Sequence, residues 1–158
     1  SAVIKMSGGK IKNFDTSVIQ ELLNKQIIPV LSGDVSFDDK RGISIISGDT
    51  FATYLAKYLH ANRVIFASDV DGVFTQDPNR FPTAKLIPEI TNKNYQEIIG
   101  GVQGSASKID VGGGMRGKLQ EIRALARGVE VWIVNGERKG IISKILNGEE
   151  IKGTKIFI

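Results

Sequence analysis

Apolar and polar residues follow one another along this chain in blocks that switch between strand-like and helical spacing. Ala2 to Met6 and Lys10 to Lys12 flank Ser7-Gly8-Gly9 as a short hairpin. Asp15 or Thr16 can then cap a helix carrying Val18, Ile19, Leu22 and Leu23 on one face. Ile27-Ile28-Pro29-Val30-Leu31 is a continuous apolar run of the kind that predicts a strand buried on both faces, with Pro29 at its start or at an edge-like position. A polar loop is expected from Ser32 to Gly42, within which Asp38-Asp39-Lys40-Arg41 reads as a solvated face. Ile43-Ser44-Ile45-Ile46 predicts the next strand. It ends at Ser47-Gly48-Asp49, directly before a helix with Phe51, Leu55, Tyr58 and Leu59 on one side, a stripe that suits a core or a subunit interface.

Arg63 to Ala67 predicts a third strand, which runs into the polar segment Ser68-Asp69-Val70-Asp71-Gly72-Val73-Phe74. Further on, Tyr95, Ile98 and Ile99 suggest a short helix, and Met115, Leu119, Ile122, Leu125 and Ala126 a longer one stopped by Gly128. Val129 to Val134 reads as a strand in which Trp132 is packing, Gly140 to Leu146 as a helix, and Thr154 to Ile158 as a last strand. Strands alternating with helices imply right-handed crossovers and an α/β fold with a mostly parallel sheet, whose ligands bind beyond the carboxyl ends of the strands. No repeat, low-complexity tract or linker interrupts residues 1–158, so a single domain is expected.

Candidate chemistry gathers in the turns, above all in Asp110-Val111-Gly112-Gly113-Gly114-Met115-Arg116-Gly117-Lys118. Consecutive glycines let the backbone approach a ligand closely, a helix N-terminus favours anions, and Lys118 adds a point charge one turn inside. The stretch nearly matches Walker A, yet Leu119 stands where a Ser or Thr must hold magnesium, and Ser105 to Ile109 is a poor preceding strand. A flexible glycine linker before an ordinary helix is the plain alternative. Asp69 and Asp71 do not form an EF-hand, because Gly72 comes too early and no Glu follows at the last loop position. Without the other turns, that loop would read as a solvated bend, and Asp49 as a helix cap.

Composition narrows the function classes. The chain has 158 residues with a formal net charge of +4. Its basic residues are interleaved with acids rather than gathered, and aromatics are few, so nucleic acid is a poor candidate partner. Absence of cysteine excludes a disulfide scaffold and thiolate metal sites. There is neither a membrane-length apolar run nor a basic-then-apolar opening segment, so no membrane association is expected and the cytoplasm is the expected compartment. His60, the lone histidine, reads as a surface or helix-end residue.

Taken in order, Gly33-Asp34-Val35, Ser47-Gly48-Asp49, Ser68 to Phe74 with Asp77-Pro78, Asp110-Val111 with Gly113-Gly114-Met115 and Lys118, and the closing Gly153-Thr154-Lys155-Ile156 resemble the amino-acid kinase superfamily, and within it the isopentenyl phosphate kinases. That resemblance implies a three-layer α/β/α sandwich with an open, mostly parallel central sheet. It also implies ATP with Mg2+, and transfer of the γ-phosphoryl group to isopentenyl phosphate. In the same terms Asp49 organises the catalytic lysines and Lys118 meets the nucleotide phosphates. Ser68, Asp69, Asp71, Gly72, Val73 and Phe74 shape the nucleotide pocket, with Gly33, Asp34, Ser47, Gly48, Gly112, Gly113 and Gly114 contributing.

Two departures qualify the likeness. Gly112 stands where the family carries Thr, so a hydroxyl is replaced by a backbone amide. The family's opening strand, its Gly-Gly-Ser phosphate loop and its acceptor-site histidine have no counterpart, and Ser7-Gly8-Gly9 is no substitute. The chain is therefore expected to be the nucleotide-binding C-terminal portion of such a kinase, with the N-terminal third absent. Proteolysis, design or a separate chain carrying the acceptor half would account for this. Alone it should be a poor enzyme, and by family likeness a homodimer. Fosfomycin and UMP are alternative acceptors, and a non-catalytic nucleotide-binding module is the alternative from another class.

Overall fold

A computed structural model describes residues 3–101, 114–125 and 128–157. These fall into two compact units, residues 1–54 and 55–158. The first contains β1 (Ile4–Ser7), β2 (Lys10–Phe14), α1 (Ser17–Asn24), β3 (Asp34–Asp38), β4 (Gly42–Ile46) and most of α2 (Gly48–Tyr58). Its sheet has the order β2-β1-β3-β4, two antiparallel hairpins joined by a parallel contact at Met6 and Asp38. Ile4, Met6, Phe14, Ile19, Ile46 and Phe51 are buried. The Phe14 ring packs 5.7 Å from Phe51 and 5.8 Å from Tyr54, both tilted, the arrangement that aromatic quadrupoles favour.

Two expectations fail in this unit, for related reasons. Residues 27–33 form no strand, and Ile28 and Val30 are 84% and 94% exposed. Helix α1 ends in a Schellman turn, with Gln26 at φ 60° and the Gln26 and Ile27 amides donating back to Leu23 and Leu22. The chain leaves that turn into Pro29, which has no amide to offer a ladder. Apolar composition alone therefore does not make a strand there.

Conversely, the polar stretch expected to be loop contains β3. Its pattern is inverted: Ser36 and Asp38 point inward while Val35 and Phe37 point outward. On the partner strand Ile43 and Ile45 face outward too, directly opposite Phe37 and Val35. Burial of the polar pair is sustained by hydrogen bonds. Ser36 Oγ donates to the Ile4 carbonyl at 2.6 Å. Asp38, 1% exposed, accepts from the amides of Gly8 (2.9 Å), Gly9 (2.6 Å), Lys40 (2.9 Å) and Arg41 (3.0 Å) and from Ser44 Oγ (2.7 Å). Burial opposes its ionisation, but these donors, the Ser44 hydroxyl foremost, prevail and hold the carboxyl well below the usual carboxylate range. So Asp38 is a buried hub rather than part of a solvated face. Gly8 and Gly9, at φ 59° and 84°, bring their amides round to meet it.

The second unit contains β5 (Arg63–Ser68), β6 (Glu89–Thr91), α3 (Tyr95–Gly101), α4 (Gly114–Arg123), β7 (Glu130–Asn135), α5 (Ile141–Leu146) and β8 (Thr154–Phe157). Its sheet order is β5-β7-β8-β6, with β5 and β7 parallel from Arg63 opposite Glu130 to Ser68 opposite Asn135. The β6 and β8 pair is also parallel, while β7 and β8 run antiparallel. The α/β expectation holds, in two four-stranded sheets of mixed pairing. Strand β7 is buried on both faces. Val131 and Ile133 lie on one side, and Val134 packs with Ile141 and Ile145 of α5 on the other. Trp132 packs against that cluster as expected and donates its indole N–H to Glu130 at 2.6 Å. Among the described residues no helix is long and apolar enough to cross a membrane.

Ile133 is fully buried on an inner strand. Ile133→Ala should lower the unfolding free energy by about 2–5 kcal/mol, read from urea denaturation. The half-exposed Ile142→Ala should change it far less.

Candidate functional site

In the first unit the β3–β4 hairpin brings together two of the expected segments. Asp34 pairs with Ile46, so Gly33 and Asp34 lie beside the turn Ser47-Gly48-Asp49. A Cβ at Gly33 would stand 3.0 Å from the Ile46 carbonyl oxygen, which limits that position to glycine or a shifted backbone. The Asp34 carboxylate accepts from the Val35 amide at 2.7 Å, and this bond lowers its pKa. Ser47 caps α2: its Oγ accepts from the Thr50 amide at 3.1 Å and its carbonyl from Phe51. Ser47 thus occupies the N-cap position, ahead of Asp49. Asp49 sits in the first helical turn after Gly48, where the helix dipole favours a negative charge.

In the second unit the 68–74 loop leaves the carboxyl end of β5 and is held by the neighbouring strands. Because β5 and β7 are parallel, their ends emerge side by side, and the Gly136 amide donates to the Ser68 carbonyl at 2.8 Å. Ser68 Oγ donates to Asp69 at 3.0 Å, and Asp69 is exposed. Asp71 receives both arms of the Arg138 guanidinium, at 2.7 and 2.8 Å, and the Lys152 ammonium at 2.7 Å. These two cations, Arg138 foremost, pull the Asp71 carboxyl down to about 2 against the opposing effect of burial. Gly72 adopts φ 153°, and a Cβ there would collide with Thr154 Oγ1 at 2.5 Å. Val73 is fully buried; its amide donates to Thr154 Oγ1 and its carbonyl accepts from Ile87, each at 2.8 Å. Phe74 forms an antiparallel bridge with Leu86.

Lys118 stands in the second turn of α4, with Nζ 5.0 Å from the Phe66 ring centroid. It is thereby placed on the strand that feeds the 68–74 loop. Leu119 and Ile122 anchor the same helix in the core, and the Tyr95 hydroxyl donates to the Leu119 carbonyl at 3.2 Å. Gly114 opens α4 at φ 60°. Asp110, Val111, Gly112 and Gly113 lie outside the described residues, as does Ala126.

Sequence reasoning gave no role to Arg138, Lys152 or Thr154. Arg138 carried a weak signal: it follows the Asn135-Gly136 turn at the end of β7, which a parallel sheet places beside the end of β5. Lys152 and Thr154 are 81 and 82 residues from Asp71 and Gly72 along the chain; Thr154 belongs to the closing Gly153-Thr154-Lys155-Ile156 stretch of the family likeness, but nothing local points it or Lys152 at the 68–74 loop.

The Asp71 cluster sets a pH dependence. A depressed folded pKa contributes stability that is present above the unfolded value near ~3.9 and is lost as pH falls toward the folded value. In an NMR titration the Asp71 carboxyl should titrate at about 2. Arg138→Gln should move that midpoint upward, whereas an unmoved midpoint would show that the ion pair does not form in solution.

The sequence profile of the Amino acid kinase family matches residues 2–135. The isopentenyl phosphate kinase of Methanothermobacter thermautotrophicus is 39% identical over 99% of this chain and 58% of its own length. That of Methanocaldococcus jannaschii is 42% identical over 90% of this chain and 51% of its own. An X-ray structure of an isopentenyl phosphate kinase superposes with a TM-score of 0.79 at 36% identity, covering 99% of this chain and 56% of that one. This chain thus spans a little over half the length of the relatives it matches.

Proposed function

Because the chain belongs to the amino acid kinase family, we propose that it is the nucleotide-binding portion of an ATP-dependent kinase that phosphorylates isopentenyl phosphate to isopentenyl diphosphate. One observation carries this reading: the likeness to an isopentenyl phosphate kinase runs over 99% of the chain at 39% identity.

The residues present fit a nucleotide triphosphate. Phosphoryl transfer needs positioning and countercharge more than covalent chemistry. Lys118 supplies an ammonium in the second turn of a ten-residue helix, and Gly114 opens that helix with a backbone conformation that side chains resist. Residues 68–74 shape the nucleotide pocket on a loop fixed by its neighbours. In the first unit, Asp49 takes the organising role that the family likeness gives it, in the opening turn of α2 with Gly33 and Asp34 beside the Ser47-Gly48-Asp49 turn. Gly112 and Gly113, outside the described residues, belong to the proposed site by sequence alone. When bound, Mg2+ with ATP adds countercharge on the phosphate oxygens. Among the described residues no group of three or more His, Cys, Asp or Glu could hold a metal ion.

Calorimetric titration with Mg-ATP tests the binding part of this reading. Lys118→Ala should weaken binding roughly tenfold or more, the worth of one charge-assisted hydrogen bond. Unchanged affinity would remove Lys118 from the site. Acceptor identity is tested by comparing turnover of isopentenyl phosphate, fosfomycin and UMP in the protein extended to the length of its relatives. Preference for either of the latter two would replace the acceptor, and binding of ATP with no turnover on any would leave a nucleotide-binding module.

A further inference from the structure

Two sets of contacts from distant parts of the second unit converge on residues 71–73. On one side Thr154, the first residue of β8 and fully buried, uses its single hydroxyl twice: Oγ1 accepts from the Val73 amide at 2.8 Å and donates to the Ile87 carbonyl at 2.7 Å. On the other, Arg138 and Lys152 both bind the Asp71 carboxylate. Between them Gly72 presses so closely on Thr154 that even a methyl group at 72 would overlap its hydroxyl.

We propose that Thr154 and the Asp71–Arg138–Lys152 cluster form a clamp that positions the 68–74 loop for the nucleotide before it arrives. The inference rests on the reading of that loop as the nucleotide pocket and assigns positioning roles to residues outside it. The hydroxyl belongs to no strand ladder; it ties the loop to both Ile87 and β8. Without it the Val73 amide would be a buried donor lacking a partner, and the backbone would move to recover a bond. The ion cluster restrains the neighbouring residue through two cations that themselves come from different segments, after β7 and before β8. A bidentate guanidinium fixes orientation as well as distance. A loop ordered in advance loses less freedom on binding, so it binds more tightly with no added contact.

The test is calorimetric titration of the protein with Mg-ATP and with adenosine, for wild type, Thr154→Val, Thr154→Ser and Arg138→Gln. Hydrogen exchange at the Val73 amide and thermal unfolding are followed alongside. Thr154→Val, which keeps the shape and removes the hydroxyl, should weaken Mg-ATP roughly tenfold and speed exchange at Val73. Thr154→Ser should restore both. If Thr154→Val lowers the melting temperature but a folded sample binds Mg-ATP as wild type does, the hydroxyl is only structural and the inference fails. Should Thr154→Val not fold, Arg138→Gln decides, since Arg138 is half-exposed and outside the core. Weakened binding of adenosine as well as Mg-ATP supports positioning of the loop. Loss confined to Mg-ATP marks a direct phosphate contact and overturns the clamp. No binding of Mg-ATP to wild type overturns the pocket reading and the clamp together, whereas wild-type binding that all variants retain overturns the clamp alone.

Discussion

The parallel pairing of β5 with β7 is the constraint on which the candidate site in the second unit depends. Six residue pairs in register bring both carboxyl ends to one edge, so the segments that follow Ser68 and Asn135 must share the same space. The Gly136 amide closes on the Ser68 carbonyl as a continuation of that pairing, and a Cβ at Gly136 would lie 2.9 Å from that of Ala67. From this follows the reach of Arg138 to Asp71. Strand β8, antiparallel to β7, starts where β7 ends, which brings Thr154 and Lys152 to the same edge. Contacts from three chain segments, 86–87, 136–138 and 152–154, thus gather around a seven-residue loop.

The two units use the same device for different ends. In the first, a buried carboxylate gathers five donors and stitches the β1–β2 turn to the β3–β4 hairpin. In the second, a buried hydroxyl joins the 68–74 loop to β8 and to Ile87. Each polar group is tolerated inside because its hydrogen-bonding capacity is taken up, and each fixes a backbone path that apolar packing, being non-directional, would leave loose. In both, glycines make the close approach feasible: Gly8 and Gly9 around Asp38, and Gly72 against Thr154.

Family membership and the site residues stand on different footings. The likeness extends along the whole chain and includes the turn after β4, the loop after β5 and the helix carrying Lys118. Each unit places its own share. Gly33 and Asp34 meet the Ser47-Gly48-Asp49 turn through hairpin register, and Lys118 meets the strand leading to the 68–74 loop through its contact with Phe66.

What the sequence determined by itself is what short-range periodicity and glycine placement encode. The helices at Val18 to Leu23, Phe51 to Tyr58 and Met115 to Ile122, the strands after Arg63 and Val129, and the ordered turns that mark the family all lie within windows of a dozen residues. Where burial ran against residue type, those windows misled. β3 hides Ser36 and Asp38 and shows Val35 and Phe37 to solvent, while Ile28 and Val30 lie exposed in a segment that no described strand pairs with. Only tertiary structure decided that Asp38 is a hub, that Arg138 and Lys152 share Asp71, and that Thr154 holds Val73 in place. Those partners are 67 to 81 residues apart in the second unit and about 30 in the first. Their meeting is set by strand order and register, which depend on the balance of packing over each unit and leave no trace in any local run of residues.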